Sequence, residues 1–587
     1  MRSMNACWSI DRTRLRIVAL FAALACLPVS AGPATQRIRY RIDAAIDYEL
    51  LTLKGSAEVS IPNEGQETLR DAVFFLYANS RGIVGDGRRK HLVVDGVRLG
   101  TEALPFSLDG PILRVSLNPP QSRSVVLRID YHGVVPRSSG NGTGQLLGAL
   151  GGLFGSMNSD AASENSDFGL YGYSDGILSL GSFWYPQLAV RKNGKWVDEA
   201  PAGLGDVAYS EASDFDVSLA VPADVKVVTS GTPSGTGRYI ASNVRDFAVL
   251  MSEDYVCQST SIEASGKNIG VEACATRGNA AQIDRSLEVA GRALQIYSGR
   301  FGEYPYKNFK VVEGTLTGGA GGMEFSGMTA IAPMLYTDWN AQLRELTGML
   351  GNLGGLDKLL GGLNAGQDGG ASRKQTDSTP RKTAGDLMGS IPGQQNALDS
   401  LLEMTIAHEA AHQWWAMAVG SDSVREPFVD ESLTNYSAIL YFEDRYSRET
   451  AQKMMETHLK LPYSMARLLG LPDAPANLPT SAYSSNLQYS AIVYGKGALY
   501  YDALRRAAGD EAFFSALRAY YQKYRGHLAG PRSFLDLINT KAPAAGAEAL
   551  YRHWIEEANG DQDISGPGNI GIPGILGELL KKSSPPQ

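Results

Sequence analysis

His408-Glu409-Ala410-Ala411-His412 is the densest chemistry in the chain, and Glu431 follows it after eighteen intervening residues. Two histidines four apart on a helix project from one face, so both imidazoles can reach one metal ion. Zn²⁺ in a hydrolytic site takes three N/O protein ligands and keeps an open position for water. His408, His412 and Glu431 supply such a set. Glu409, inside the motif, would lie next to the open position and could take a proton from that water. The chain has 7 histidines in 587 residues, and two of them fall in this pattern. That favours a zinc hydrolase with one Zn²⁺ per chain over a buried helix with incidental histidines.

Two further segments carry groups of the same kind of chemistry. Gly318-Gly319-Ala320-Gly321-Gly322-Met323-Glu324-Phe325 sets a carboxylate at the end of a glycine-rich run. Such a run lets backbone approach a ligand closely, and Gly321, Gly322 and Met323 would line it beside Glu324. Glu324 could then bind a substrate ammonium group, although a glycine-rich loop with one acid is common. Tyr494, in Ile492-Val493-Tyr494-Gly495-Lys496-Gly497, is either a core aromatic at a helix start or a phenol near zinc. In the second case it could donate a hydrogen bond to an oxyanion.

These residues need elements to hold them. Segments such as Ile38–Ile42, Ser56–Ile61, Val125–Tyr131 and Asp214–Pro222 largely alternate apolar and polar residues, with turn formers near their ends. Residues 37–255 therefore read as a large, mostly antiparallel β-sandwich or saddle. From about residue 280 the period becomes helical. Helices are expected over Ile283–Phe301, Leu398–Val419 and Asp430–Asp444. The second opens on a Ser400/Glu403 capping box and closes at Gly420. Further helices are expected over Ala451–Leu461, Gly495–Ala508, Asp510–Tyr524, Ser533–Asn539 and Glu548–Glu557. The fold class is α+β, with an N-terminal β domain followed by a mainly helical catalytic domain over 256–560. Residues 139–166, residues 336–395 and the 561–587 tail are rich in Gly with Leu-bearing or Pro-bearing runs. They read as flexible surface insertions, or as apolar patches that cover the cleft, associate with one another or touch a membrane surface.

Residues 1–31 resemble a secretory signal peptide. Arg2, Arg12, Arg14 and Arg16 precede the apolar run Ile17–Leu27, and Val29-Ser30-Ala31 offers a small-x-small cleavage site. Removing this segment takes away four arginines and one aspartate, moving the formal charge from −8 to −11. An acidic chain of this kind lacks the footprint of a nucleic-acid binder. The mature protein is expected to be exported, periplasmic or secreted, with a lipid anchor on Cys26 as the alternative. Cleavage leaves Cys257 and Cys274, which either pair across a long β-hairpin or stay as two buried thiols.

Taken in order, Gly-Gly-Met-Glu, His-Glu-x-x-His, eighteen residues, Glu, and then Tyr-x-Lys-Gly resemble the aminopeptidase N family of gluzincin metallopeptidases. Phe183-Trp184-Tyr185-Pro186, Arg245-Asp246-Phe247, Phe301-Gly302-Glu303-Tyr304-Pro305-Tyr306 and His412-Gln413-Trp414 are similar to further family landmarks. The likeness spans about residues 37–560. It implies a β-saddle followed by a thermolysin-like domain, without the long helical C-terminal domain of many members. It also implies His408, His412 and Glu431 as zinc ligands and Glu409 as general base. Glu324 would bind the substrate α-amine, and Tyr494 would stabilise the transition state. The chain departs from the pattern at Gly322 and Phe325, where Ala and Asn are usual, and at Ser432, where Gly is usual. No Glu or Gln stands ahead of Trp184-Tyr185-Pro186 as a second amine anchor.

The function this implies is zinc-dependent removal of N-terminal residues from peptide substrates. A zinc endopeptidase of altered specificity, and an exported binding protein without catalysis, are the alternatives.

Overall fold

Along Ile38–Asp47 every second residue points inward. Tyr40, Ile42, Ala44 and Ile46 are buried, while Arg39, Arg41, Asp43 and Ala45 face out. That period of two is what a sheet with one covered face demands. The strand lies inside an eight-stranded sheet, between Thr52–Ile61 and Ser213–Ala220. Every pairing in that sheet is antiparallel except Ile38–Asp47 with Ser213–Ala220. Two four-stranded sheets accompany it, and their inner faces share one core containing Phe74, Leu113, Leu178, Trp184 and Leu250. The expected antiparallel β domain is therefore present.

The structure is a computed structural model and describes residues 37–63, 68–80, 83, 90–137, 168–199, 205, 209–317, 320–337 and 394–564, with backbone alone for 394–398. The signal-peptide segment 1–31, the insertion 139–166, nearly all of 336–395 and the tail beyond 564 lie outside the described residues. The described residues from Ile38 onward belong to one compact unit. The boundary expected at 255/256 falls at the start of the strand Tyr255–Ala264.

The part that carries the site begins with a five-stranded sheet in the order Tyr255–Ala264, Lys267–Thr276, Asn308–Glu313, Met328–Ile331, Gly322–Phe325. Helix α1 (Ile283–Phe301) crosses between the parallel strands Lys267–Thr276 and Asn308–Glu313. It buries Val289, Ala290, Ala293, Leu294, Tyr297 and Phe301 along one stripe, the pattern expected of an amphipathic helix on a sheet. Gly302, at φ 126°, ends it in backbone that favours glycine. Gly322–Phe325 is the edge strand, and it turns back on Met328–Ile331.

Two more helices follow. Helix α2 spans Gln394–Ala411 and helix α3 spans Glu431–Arg445. The capping-box expectation does not hold, since α2 begins before Ser400. Glu403 instead accepts hydrogen bonds from Tyr441 and Tyr446 and pairs with Arg285. Nor does the helix run to Val419. Ala416 sits at φ 112°, outside any helical basin. Met417 O and Ala418 O accept from the buried Arg245 guanidinium. Gly420 is needed for a different reason, because a Cβ there would overlap that guanidinium. Among the described residues no helix is long and apolar enough to cross a membrane.

Cys257 and Cys274 stand directly opposite each other on the hairpin and form a disulfide. The bridge closes a sequence separation of 17 residues, for which chain-entropy arguments give about 3 kcal/mol. The double variant Cys257→Ser, Cys274→Ser is expected to melt measurably below the parent by scanning calorimetry. An unchanged midpoint would show that the bridge adds nothing to stability.

Candidate active site

Helix α2 delivers His408 and Glu409 from its last turn, and His412 stands one residue past its end. Its backbone still follows the helix, with His412 N donating to His408 O at 3.2 Å. Helix α3 begins at Glu431, capped by Asp430, whose side chain accepts from Glu431 N at 2.8 Å. Asp430 is itself held by Ser421 and Ser423 hydroxyls at 2.6 and 2.5 Å. The three ligand candidates meet as a triangle. His408 Nε2 and His412 Nε2 are 3.0 Å apart, and each lies 3.3 Å from Glu431 Oε2.

That triangle fits zinc. Ligand atoms at about 2.0–2.1 Å in a tetrahedron stand about 3.3 Å from one another. Glu431 Oε2 is buried and, by hydrogen-bond geometry, without a partner among the described residues. What faces it are the two imidazole nitrogens, an arrangement of lone pairs that suits a shared cation. The outer nitrogens are fixed as a metal site requires. His412 Nδ1 donates to Trp415 O at 2.9 Å, and His408 Nδ1 donates to Asn435 Oδ1 at 3.1 Å. Both bonds leave Nε2 facing the centre of the triangle, free to coordinate.

The other predicted residues gather around the triangle. Ligand-type atoms of Glu324, Glu409 and His412 all lie within 4.8 Å of one another. Thr329 Oγ1, on the adjacent strand, donates to Glu409 Oε2 at 3.4 Å. A Cβ at Gly322 would overlap the Glu409 carboxylate, so the last glycine of the run makes room for that acid. Met323 is buried beside it, and Gly321 faces Thr405 on α2. The Tyr494 ring stacks on His408, centroids 5.7 Å apart and planes 24° from parallel. Tyr494 does not precede a helix start. It lies within a π-helical turn, Ser490–Lys496, inside a helical run from Asn486 to Ala508.

Burial and crowding set the charges. Burial pulls the His412 imidazole down, but the carboxylates of Glu324, Glu431 and Glu409 outweigh it and hold His412 well above the usual histidine range. Burial raises Glu409 far above the ordinary carboxylate value, with Glu324 and Glu431 adding to the rise against the pull of His412. Glu324 is pushed up to about 7, first by burial and then by Glu431 and Asp430, with His412 opposing. Burial also opposes ionisation of Glu431, yet the two histidines keep it well below its usual value. The pocket is thus a concentrated negative field that favours a cation.

Some residues here escaped the sequence reading. Thr434 and Asn435 stand three and four residues after Glu431, so helical spacing puts them on the ligand face. Arg245, Asp246 and Gln413 were seen as landmarks without a task. Gln413 bonds Gly327 N and Phe325 O, and Asp246 accepts from Ser326 N. Together they tie the turn after Glu324 to the end of α2.

The comparisons agree with this geometry. Residues 388–554 match the family model for the peptidase family M1 domain. Aminopeptidase N of Lactococcus lactis subsp. lactis is 28% identical over 168 residues, which make up 26% of this chain and 18% of that relative. The M1 zinc metallopeptidase from Deinococcus radiodurans superposes with a TM-score of 0.55 at 17% identity, covering 89% of this chain and 94% of that one. A substituted form of that enzyme bound to a Tyr-Ser-Ala substrate gives a TM-score of 0.54 at 16% identity, over 89% of this chain and 94% of that one. The fold is thus that of the M1 zinc metallopeptidase structures. Residues 388–554, which hold the triangle, Glu409 and Tyr494, are similar to the M1 peptidase domain and, in part, to aminopeptidase N.

If the triangle is the metal site, Glu431→Ala should bind zinc at least about 100-fold more weakly than the parent. Competition with a chromophoric chelator measures this, and parental affinity in the variant would remove Glu431 from the ligand set.

Proposed function

We propose that the chain is a zinc-dependent aminopeptidase that hydrolyses the first peptide bond of peptides, with one zinc held by His408, His412 and Glu431. The observation that carries this reading is the position of Glu324, a buried carboxylate whose ligand atom lies within 4.8 Å of those of Glu409 and His412. An acid so close to the metal triangle would pair with a substrate ammonium and leave room for one residue before the scissile bond. When bound, zinc supplies Lewis acidity toward a water and a carbonyl oxygen.

The chain's own residues supply the rest. Glu324, on an edge strand fixed through Gln413 and Asp246, orients the free α-amine. Glu409 takes a proton from the attacking water and returns it to the leaving amine, a task suited to a carboxyl whose proton affinity burial raises. Tyr494, over His408, donates its phenol hydrogen to the oxyanion that forms on the scissile carbonyl. The Cys257–Cys274 bridge supports an exported, oxidising location.

Glu409→Gln should keep its zinc and lose turnover by about 10²–10⁴-fold. Substantial retained kcat would take Glu409 out of the proton-transfer role. Glu324→Ala should raise KM and lower kcat/KM on aminoacyl-fluorogenic substrates while leaving N-acetylated peptides at their parental rate. An equal loss on both would contradict amine anchoring and favour an endopeptidase.

A further inference from the structure

The Tyr494 turn and the metal triangle are tied by one side chain. Asn435 is buried on α3, four residues after Glu431. Its Oδ1 accepts from His408 Nδ1 at 3.1 Å, and its Nδ2 donates to Tyr494 O at 2.7 Å. The Tyr494 ring in turn stacks on the His408 imidazole. Histidine, amide, tyrosine backbone and tyrosine ring therefore close a loop. We infer that Asn435 is a positioning residue that couples the orientation of His408 to that of the turn bearing Tyr494. This inference rests on the aminopeptidase reading.

The physical case begins with the π turn. Such turns are rare, are common at functional sites and persist where neighbours hold them. Three side chains hold this one. Ser432 Oγ donates to Val493 O at 2.6 Å. Lys496 Nζ, fully buried, pairs with Asp473 at 3.2 Å and donates to Ala474 O and Glu557 O at 2.8 and 2.7 Å. Asn435 is the third, and of the three it alone also bonds a metal-ligand candidate.

An amide suits this position because it offers one acceptor and one donor face. Donation to Tyr494 O fixes which way the amide points, so its oxygen must face His408. That oxygen keeps the proton on Nδ1 and leaves Nε2 free to coordinate, the usual task of an outer-shell partner. A carboxylate could serve His408 but not the Tyr494 carbonyl. An apolar side chain could serve neither.

The test uses Asn435→Asp, Asn435→Leu, Tyr494→Phe and the double variant Asn435→Asp, Tyr494→Phe, each in the full chain. Zinc affinity is read by chelator competition, kcat and KM on an aminoacyl-fluorogenic substrate at saturating zinc, and folding by thermal melting. Asn435→Asp is expected to hold zinc within about 3-fold of the parent while kcat falls about 10-fold or more and KM stays near its parental value. Asn435→Leu should show the same fall in kcat together with zinc binding about 10–100-fold weaker. In the Tyr494→Phe background, Asn435→Asp should lower kcat no further, because residues acting as a unit are not additive.

The coupling is overturned if Asn435→Asp keeps parental kcat, if it loses zinc in step with activity, or if the two losses add in the double variant. Parental kcat in Tyr494→Phe would instead sink the role given to Tyr494 in the proposed function, and the Tyr494 half of the coupling with it. Should Asn435→Leu melt too low to assay, Asn435→Asp alone still decides the outcome.

Discussion

Three buried ligand atoms within 3.3 Å of one another are stable only around a shared positive charge, and much of the helical half exists to keep them there. Helix α2 is gripped at its middle and at its far end. At mid-helix, Glu403 binds Arg285 of α1 and Tyr441 and Arg445 of α3, with Tyr446 just beyond. At its far end, Arg245 and Gln413 lock the irregular turns after Ala411 to the β domain and to the strand hairpin. Removing either grip would let the imidazoles drift, and an error of even an ångström is costly in a preorganised site.

The same constraint explains the chemistry of the acids. Four carboxyl groups, Glu324, Glu409, Asp430 and Glu431, are buried in one region. They cannot all ionise cheaply, so burial and mutual repulsion push three of them up while the histidines hold Glu431 down. In the proposed reaction, that division would separate a ligand that stays anionic from a base able to hold a proton. Where two carboxyls differ so far in environment, different tasks follow.

The convergence of the candidate metal set was legible because helical spacing alone brings His408 and His412 together, and α1 because its apolar stripe is unbroken. The end of α2 was not legible. The guanidinium that captures Met417 O and Ala418 O comes from Arg245, over 170 residues earlier, and no local pattern announces it. Ser400 and Glu403 read as a cap only because the preceding residues carry no clear helical signal. Glu403 turned out to be an ion-pair hub. Tyr494 reads as a helix-start residue because the helix is expected to begin at Gly495. Gly495 instead admits Leu459 O and Gly497 admits the Ser432 hydroxyl, and the helix passes through both. Cys257 and Cys274 left two readings open, which the hairpin register decides.

The central claim is that His408, His412 and Glu431 hold a single zinc ion. An anomalous difference map from crystals of the protein, collected on both sides of the zinc absorption edge, tests it most directly. One peak is expected, about 2.0–2.1 Å from both Nε2 atoms and from a Glu431 carboxylate oxygen. A map without a peak there in zinc-replete protein, or with the metal bound by other residues, would contradict the account.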